Sequence, residues 1–289
     1  MWLISMIWMT CISGIIAALT LLFVISIIVY IISTPYPVVV RYDEERMFED
    51  VKTKTKKQFP SISDPCSVHL SVIVPAYNEE ARLPPMLDEA IEFLESRVKE
   101  YPSYKYEILI VSDGSRDNTV KVAKSYAEKY GSDKVRCLEL IENRGKGGAV
   151  RLGIQSCRGA TILFADADGA SKFEDITKLE EALKLLSKTD LISNTEDVSS
   201  ELAVVIGSRA HLEEESLAKR SIFRAFDVEL LYIAQQLNIP IVEIPVRWTE
   251  IEGSKVTPVL SWIQMGCDLG LIWLKYRIGA WKIKSEFFN

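Results

Sequence analysis

Two aspartates that lie one residue apart, Asp166 and Asp168, directly follow a short apolar run at residues 161–165. Such a run is typical of a buried strand. Beyond the end of a strand, alternate side chains no longer have to face the core, so the two carboxylates can approach one divalent cation. Carboxylate oxygens favour Mg²⁺ or Mn²⁺, and phosphate oxygens of a ligand can complete the coordination shell. An Asp-x-Asp pair alone is also common in turns, so its interpretation depends on the loops around it.

Three more polar loops follow apolar runs earlier in the chain. The first, P-A-Y-N-E-E at 75–80, offers backbone and side-chain groups to a ring or a ribose. The second, at 112–117, contains Asp113, which can accept a hydrogen bond from a base, and Gly114, which lets a ligand approach the backbone. The third, R-G-K-G-G at 144–148, combines two cations with a predicted helix N-terminus and so attracts anions. It lacks the P-loop pattern. Each loop alone is also typical of an ordinary turn.

Strand-like segments alternate with segments that have the spacing of amphipathic helices. The predicted strands are 68–75, 106–111, 135–140 and 161–165, and the predicted helices are 84–101, 119–130, 147–157 and 176–187. This alternation predicts an α/β fold with a mostly parallel sheet and helices on both faces. In such sheets, ligands bind at the carboxyl ends of the strands. All four polar loops follow predicted strands, so they are expected to lie at this edge.

The N-terminal part has the composition of a membrane span. No residue between 3 and 33 is charged. A helix of this length would extend ~45 Å, more than the ~30 Å hydrocarbon core, so a tilted transmembrane helix is predicted. The run is too long for a signal peptide, and no basic region precedes it. The positive-inside rule places the rest of the chain in the cytosol because the run is followed by basic residues: Arg41, Arg46, Lys52, Lys54, Lys56 and Lys57.

Four parts are predicted along the chain. Residues 1–33 form the transmembrane anchor, and 34–66, with several prolines and mixed charges, a cytosolic linker. The α/β domain is predicted at 67–247. Residues 248–289 are interpreted as a membrane-proximal amphipathic segment, because apolar residues there are mixed with lysine and arginine. Packing of the same apolar residues onto the sheet is the alternative.

Composition narrows the classes of function. The 289 residues carry a net charge of -6, which argues against a nucleic-acid partner. The five cysteines are scattered and show no C-x-x-C spacing. Neither a zinc site nor a disulfide framework is therefore predicted.

Taken together, the four loops resemble those of a known enzyme family. The sequences P-A-Y-N-E-E, S-D-G-S-x-D-x-T, N-R-G-K-G-G-A-V and A-D-A-D-G-A are similar to motifs of inverting family 2 glycosyltransferases, which have the Rossmann-like GT-A fold. The segment W-T-E-I-E-G-S-K at 248–255 and the apolar N-terminus make the dolichyl-phosphate β-glucosyltransferases the most similar members. The resemblance covers nearly the whole chain. It implies glucose transfer from UDP-glucose to dolichyl phosphate for N-glycan assembly, by a single-pass protein of the endoplasmic reticulum membrane.

The resemblance also implies roles for individual residues. Asp166 and Asp168 would hold Mg²⁺ or Mn²⁺ on the diphosphate. From its setting in A-F-D-V-E, Asp227 is predicted to face the sugar or the acceptor as a third catalytic residue. The residues implied to bind the nucleotide sugar are Pro75, Tyr77, Glu79, Asp113, Asp117 and Lys146. The cations implied to bind the acceptor phosphate are Arg209, Lys219, Arg220 and Arg224. A charge run that faces solvent or membrane lipid is the alternative for these cations.

The chain departs from the family pattern after Arg224. It continues directly with Ala225, where the family carries a few dozen extra residues that contribute a strand and part of the acceptor site. This shortening would leave the nucleotide half intact and compromise acceptor binding. Two other functions therefore stay open. One is a membrane-anchored UDP-sugar-binding protein with little or no activity, and the other is a transferase for another polyprenyl-phosphate sugar, such as mannose.

Overall fold

The computed structural model describes residues 2–33, 40–189, 202–208, 225–249 and 258–283. The strands are β1 (Met47–Asp50), β2 (Thr55–Gln58), β3 (Val68–Ala76), β4 (Tyr106–Asp113), β5 (Val135–Leu140), β6 (Gly159–Phe164), β7 (Val204–Ser208) and β8 (Ile241–Pro245). The helices are α1 (Trp2–Ile32), α2 (Leu83–Glu100), α3 (Thr119–Tyr130), α4 (Gly145–Ile154), α5 (Ile176–Ser187), α6 (Ala225–Gln236) and α7 (Pro258–Arg277). Single 3-10 turns lie at Glu44–Arg46 and Phe173–Asp175. The described residues form two compact units.

The larger unit is built on a four-stranded parallel sheet with the order β5-β4-β3-β6. The chain passes from β3 through β4 to β5 and then crosses to the other side of β3 to form β6. The strand order therefore reverses between β3 and β6. In open α/β sheets, such a reversal leaves a crevice at the carboxyl ends of the two strands, and ligands bind there.

Both faces of this sheet are covered, as the sequence predicted. Alternate strand residues point to opposite faces, so Val72 and Val74 belong to one hydrophobic core and Ile73 to another. The first core joins the sheet to α2 and α3. The second core joins it to α4 and includes Leu109 of β4 and Phe59, which follows the β1-β2 hairpin. The predicted α/β fold with a mostly parallel sheet is confirmed.

Residues 40–66, predicted to be a linker, contain regular structure. They form a 3-10 turn and the antiparallel hairpin of β1 and β2. Phe59 is buried, and the guanidinium of Arg136 lies over its ring at 5.4 Å. Arg41 donates to the Ser156 hydroxyl at 2.6 Å. This segment is therefore joined to the sheet domain by side-chain contacts, which its prolines and mixed charges gave no reason to expect.

A second, two-stranded parallel sheet pairs β7 with β8 and packs against α5. Beyond β8, Trp248 bridges Ser171, and the Thr249 amide donates to the Ala170 carbonyl at 2.8 Å. Trp248 and Thr249, which lie beyond the predicted domain boundary at residue 247, therefore pair with the loop after β6 of the sheet domain.

The smaller unit contains α1, the start of α6, and α7. Among the described helices, α1 is long and apolar enough to cross a membrane, with a mean hydropathy of 3.0 over Trp8–Ile32. Helix α7 contacts α1. Inside this unit, Tyr276 donates to Glu229 at 3.1 Å.

Candidate active site

A cavity of about 200 Å³ opens where the strand order reverses. It is lined by the ends of β3 and β4, the first turn of α4 and the loop after β6. Seven of the residues predicted to bind the nucleotide sugar or the metal line it: Pro75, Tyr77, Glu79, Asp113, Lys146, Asp166 and Asp168. Three alanines, at 76, 149 and 167, complete the lining.

Asp113 ends β4 and is almost fully buried. Its Oδ1 accepts a hydrogen bond from the Arg144 amide at 2.7 Å, and its carbonyl accepts one from Asn143 Nδ2 at 2.9 Å. Burial raises the pKa of Asp113, while the amides of Arg144 and Gly145 oppose that shift. The chain turns sharply after this residue because Gly114 has φ +67°, and a Cβ there would lie 2.9 Å from the Asn143 nitrogen. The loops after β4 and β5 are therefore in close contact.

The loop after β3 is held by the start of α3. The Glu79 amide donates to the Thr119 hydroxyl at 2.8 Å. The Glu79 carboxylate accepts two hydrogen bonds from Arg82, at 2.6 and 2.7 Å. Burial raises the pKa of Glu79, aided by the charges of Asp168 and Asp117, although Arg82 lowers it. Glu79 is thus an ion-paired residue of the cavity wall.

Asp117 does not belong to the described lining of the cavity. Its carboxylate accepts from the Thr119 amide at 3.0 Å and from the Glu80 amide at 3.1 Å. Burial alone would raise the pKa of Asp117, but the hydrogen bonds from Thr119 and Glu80 outweigh it and hold the pKa below its usual value. These contacts indicate that Asp117 fixes the two loops to each other. Its predicted contact with the nucleotide stays a prediction.

Helix α4 begins at the cavity with a glycine-rich turn. Its first amides have no partner within the helix, and the helix dipole adds positive potential at that end. Lys146, in the first turn, places its ammonium 2.6 Å from Asp166 Oδ1. Asp168 Oδ1 accepts from the Ala170 amide at 3.0 Å, which shapes the turn after β6. The Lys146 ammonium, the positive end of α4 and two carboxylates therefore lie close together at the cavity.

Asp166 and Asp168 provide oxygen ligands of the kind that Mg²⁺ and Mn²⁺ bind. Within the described part of the chain, no group of three His, Cys, Asp or Glu residues is arranged to hold a metal ion. A cation on this pair would therefore take further oxygens from a ligand or from water. The donor set fits a cation that is bound together with a diphosphate.

The chain matches known proteins over most of its length. The profile of glycosyl transferase family 2 matches residues 71–227. A dolichyl-phosphate β-glucosyltransferase of Drosophila melanogaster is 46% identical, over 87% of this chain and 88% of the relative. The human protein of that name is 45% identical, over 91% of this chain and 93% of the relative. The chain belongs to the dolichyl-phosphate β-glucosyltransferase family. The resemblance found in the sequence motifs is confirmed, and the sheet is that of the GT-A fold.

Among solved structures, glucosyl-3-phosphoglycerate synthase of Mycobacterium tuberculosis, crystallised with Mn²⁺, UDP and glucosyl-3-phosphoglycerate, aligns with a TM-score of 0.45. It is 15% identical, over 73% of this chain and 80% of the synthase.

The alignment with the human dolichyl-phosphate β-glucosyltransferase extends over 310 positions, more than the 289 residues of this chain. The relative therefore has residues at positions where this chain has none, as the predicted shortening requires. That the gap lies between Arg224 and Ala225 stays a prediction, because the length of the alignment does not locate it.

The predicted acceptor side falls largely outside the described residues. Arg209, Lys219, Arg220 and Arg224 all lie in the segment 209–224, which the structure does not describe. Asp227 lies in α6, but its side chain is not among those described. The sites predicted for these five residues stay predictions.

Several residues that shape the site were missed by the sequence analysis. Arg82 pairs with the Glu79 carboxylate, and the Thr119 hydroxyl accepts a hydrogen bond from the Glu79 amide. Asn143 connects its own loop to Asp113. None of these three residues belongs to a sequence pattern whose spacing indicates a catalytic or metal-binding role. Asn143 and Thr119 do lie inside the family motifs quoted above, and that was the one available signal.

Proposed function

We propose that this chain transfers glucose from UDP-glucose to dolichyl phosphate, with inversion at the anomeric carbon. The reaction would take place at the endoplasmic reticulum membrane, with the catalytic domain on the cytosolic side. The observation that carries this proposal is the cavity at the reversal of strand order, lined by Asp113, Lys146, Asp166 and Asp168. It is supported by membership of the dolichyl-phosphate β-glucosyltransferase family.

The donor is proposed to extend across the cavity from β4 towards β6. The Asp113 carboxylate would accept a hydrogen bond from the uracil ring. The first turn of α4 and the Lys146 ammonium would bind the diphosphate, because both present positive potential to an anion. Asp166 and Asp168 would hold Mg²⁺ or Mn²⁺ there. Such a cation, when bound, neutralises charge that develops on the leaving diphosphate.

The acceptor requires little activation. A phosphate monoester has a second pKa of about 6, so dolichyl phosphate is largely a dianion at neutral pH. A strong general base is therefore not required, and orientation of the attacking oxygen matters more. We assign that orientation to Arg209, Arg220 and Arg224, with Asp227 near the sugar.

Transfer by the full-length protein in detergent tests this proposal. Labelled UDP-glucose, dolichyl phosphate and Mg²⁺ or Mn²⁺ are expected to give labelled lipid, and GDP-mannose is expected to give none. Asp168→Ala should reduce transfer to background, whereas Asp64→Asn, at an exposed loop residue that accepts from Ser61, should not change it. UDP binding without lipid labelling would refute the transferase and support the binding-protein alternative.

A further inference from the structure

Glu45 is a buried acidic residue outside the segment that matches the family profile. It lies in the 3-10 turn before β1, and its side chain is 0% exposed. An unpaired carboxylate would be costly at such a position, so its partners define its role. No motif in the sequence marked this residue.

The Glu45 carboxylate is bound at both oxygens. Oε1 accepts from the Ile141 amide at 2.9 Å and from Arg144 Nη1 at 2.8 Å. Oε2 accepts from the Tyr42 amide at 3.1 Å. The Arg144 guanidinium also lies 5.4 Å from the centre of the Tyr42 ring. The turn before β1 and the loop after β5 are thereby joined by an ion pair and one backbone contact, while the Tyr42 amide fixes the carboxylate within its own turn.

That loop leads directly into the cavity. The Arg144 amide donates to Asp113, and the next residues begin α4, which carries Lys146 beside Asp166. Glu45 therefore holds a turn that binds Asp113 of the proposed donor site and leads into the helix that carries Lys146. Without the Glu45 carboxylate, the turn would lose its contacts at the Arg144 guanidinium and at the Ile141 amide together.

The electrostatics favour the same interpretation. The Arg144 side chain is only 12% exposed, and its Nη2 has no hydrogen-bond partner among the described residues. Glu45 is the carboxylate that compensates this guanidinium. Without that charge, Arg144 would be a buried cation with no ion-pair partner among the described residues, and such a residue tends to move towards solvent. Its backbone amide, which faces Asp113, would move with it.

We propose that Glu45 is a positioning residue for the donor: it fixes residues 141–146 so that Asp113 and Lys146 face the nucleotide diphosphate. Glu45 would make no contact with substrate, because its carboxylate is occupied by the protein. This inference rests on the proposed function, since it assigns the cavity to a UDP-sugar.

The first test is calorimetric binding of UDP with Mn²⁺ to the full-length protein and to Glu45→Gln. The amide keeps the shape and one acceptor but removes the charge. UDP affinity is expected to fall about tenfold, within the range of coupling between neighbouring groups. Glu128→Gln is the matched control, because Glu128 also forms an ion pair with the segment 40–66, through Lys54, but this pair is exposed on the surface. It should bind UDP like the wild type.

Kinetics separate positioning from general weakening of the fold. In Glu45→Gln, KM for UDP-glucose should rise about tenfold, while kcat and KM for dolichyl phosphate stay within about twofold. Arg144→Met breaks the same ion pair from the other side and remains informative if Glu45→Gln does not fold. The double variant should bind UDP no more weakly than either single variant, because the two residues act through one contact.

The outcomes distinguish this inference from the proposed function. Wild-type UDP affinity in both Glu45→Gln and Arg144→Met overturns the positioning role, whatever the transfer assay gives. A fall in kcat that is matched by equal rises in both KM values also overturns it, since such a result indicates a weakened fold. Wild-type protein that binds UDP but labels no lipid refutes the transferase, while the binding comparison still decides the role of Glu45.

Discussion

Replacing Asp113 with asparagine tests the proposed contact with the base of the nucleotide. Asp113 is buried at the end of β4, and Asn can occupy the same space. The hydrogen bond between the Arg144 amide and this side chain forms within the protein without ligand, so we expect it to persist when UDP binds and largely to cancel in a comparison of affinities. The remaining difference is one bond to the uracil ring, which changes from charge-assisted to neutral.

The expected loss follows from typical hydrogen-bond energies. Bonds to charged groups contribute about 1.5–3 kcal/mol and neutral bonds about 0.5–1.5 kcal/mol, so the change should cost about 1–1.5 kcal/mol. At neutral pH, Kd for UDP should therefore rise about five- to twelvefold in Asp113→Asn. Calorimetric titration of the full-length protein with UDP and Mn²⁺ measures it. Asp64→Asn serves as the control, because Asp64 is exposed and does not line the cavity.

The pH dependence gives a second, independent test of Asp113. Burial raises the pKa of this carboxyl, so it takes up a proton at a pH above the usual value of about 3.9. As the pH falls through the raised pKa, the wild type loses the charge that distinguishes it from the variant. The ratio of the two Kd values should therefore approach one, while effects common to both proteins cancel. Equal affinities at neutral pH, or a ratio that does not change with pH, would refute the assigned contact.

Three other substitutions test the framework of the site. Gly114→Ala adds a Cβ at φ +67°, so the backbone strain of about 1–2 kcal/mol should lower both thermal stability and UDP affinity, measured in detergent. Glu107→Gln leaves the buried Arg136 without its counter-ion and should lower the free energy of unfolding by about 3–5 kcal/mol in denaturant titrations. Arg247→Met removes two hydrogen bonds to Asp175 Oδ1, at 2.7 and 3.1 Å, and should lower transfer more than UDP binding, because neither residue is among those that line the cavity. An unchanged ratio of transfer to binding would contradict the last expectation.

The sheet and its ligand-binding edge could be predicted because their signals are local. Strand β5 and helices α3 and α5 have the bounds that the periodicity predicted. Strand β4 continues to Asp113, two residues beyond the predicted end, because Ser112 still pairs with β3 and Asp113 with β5. Helix α4 begins at Gly145 and not at Gly147. Glycine has low helix propensity, so its contacts with neighbouring loops, and not local preference, determine where this helix begins.

The contacts that hold the loops were not predictable, because their partners are far apart in the sequence. Glu45 lies among other charged residues in a proline-containing stretch, and such a pattern is typical of a solvent-exposed linker. Its burial depends on Ile141 and Arg144, which are almost a hundred residues away. The same holds for Glu107, whose partners Arg136 and Arg158 belong to other strands or their ends. Charge pairing of this kind has no periodicity to detect.

The charges of the cavity predict that a diphosphate ligand and a divalent cation would bind together at this site. Four carboxylates and one ammonium are among the residues that line it, and Lys146 is already paired with Asp166. Glu79 is neutralised from outside by Arg82, but Asp168 adds negative potential where the diphosphate of the ligand would bind. The N-terminus of α4 supplies only partial positive charge. Such a cavity attracts a nucleoside diphosphate when a cation joins the ligand to the Asp-x-Asp pair, so binding of nucleotide and of metal should be cooperative.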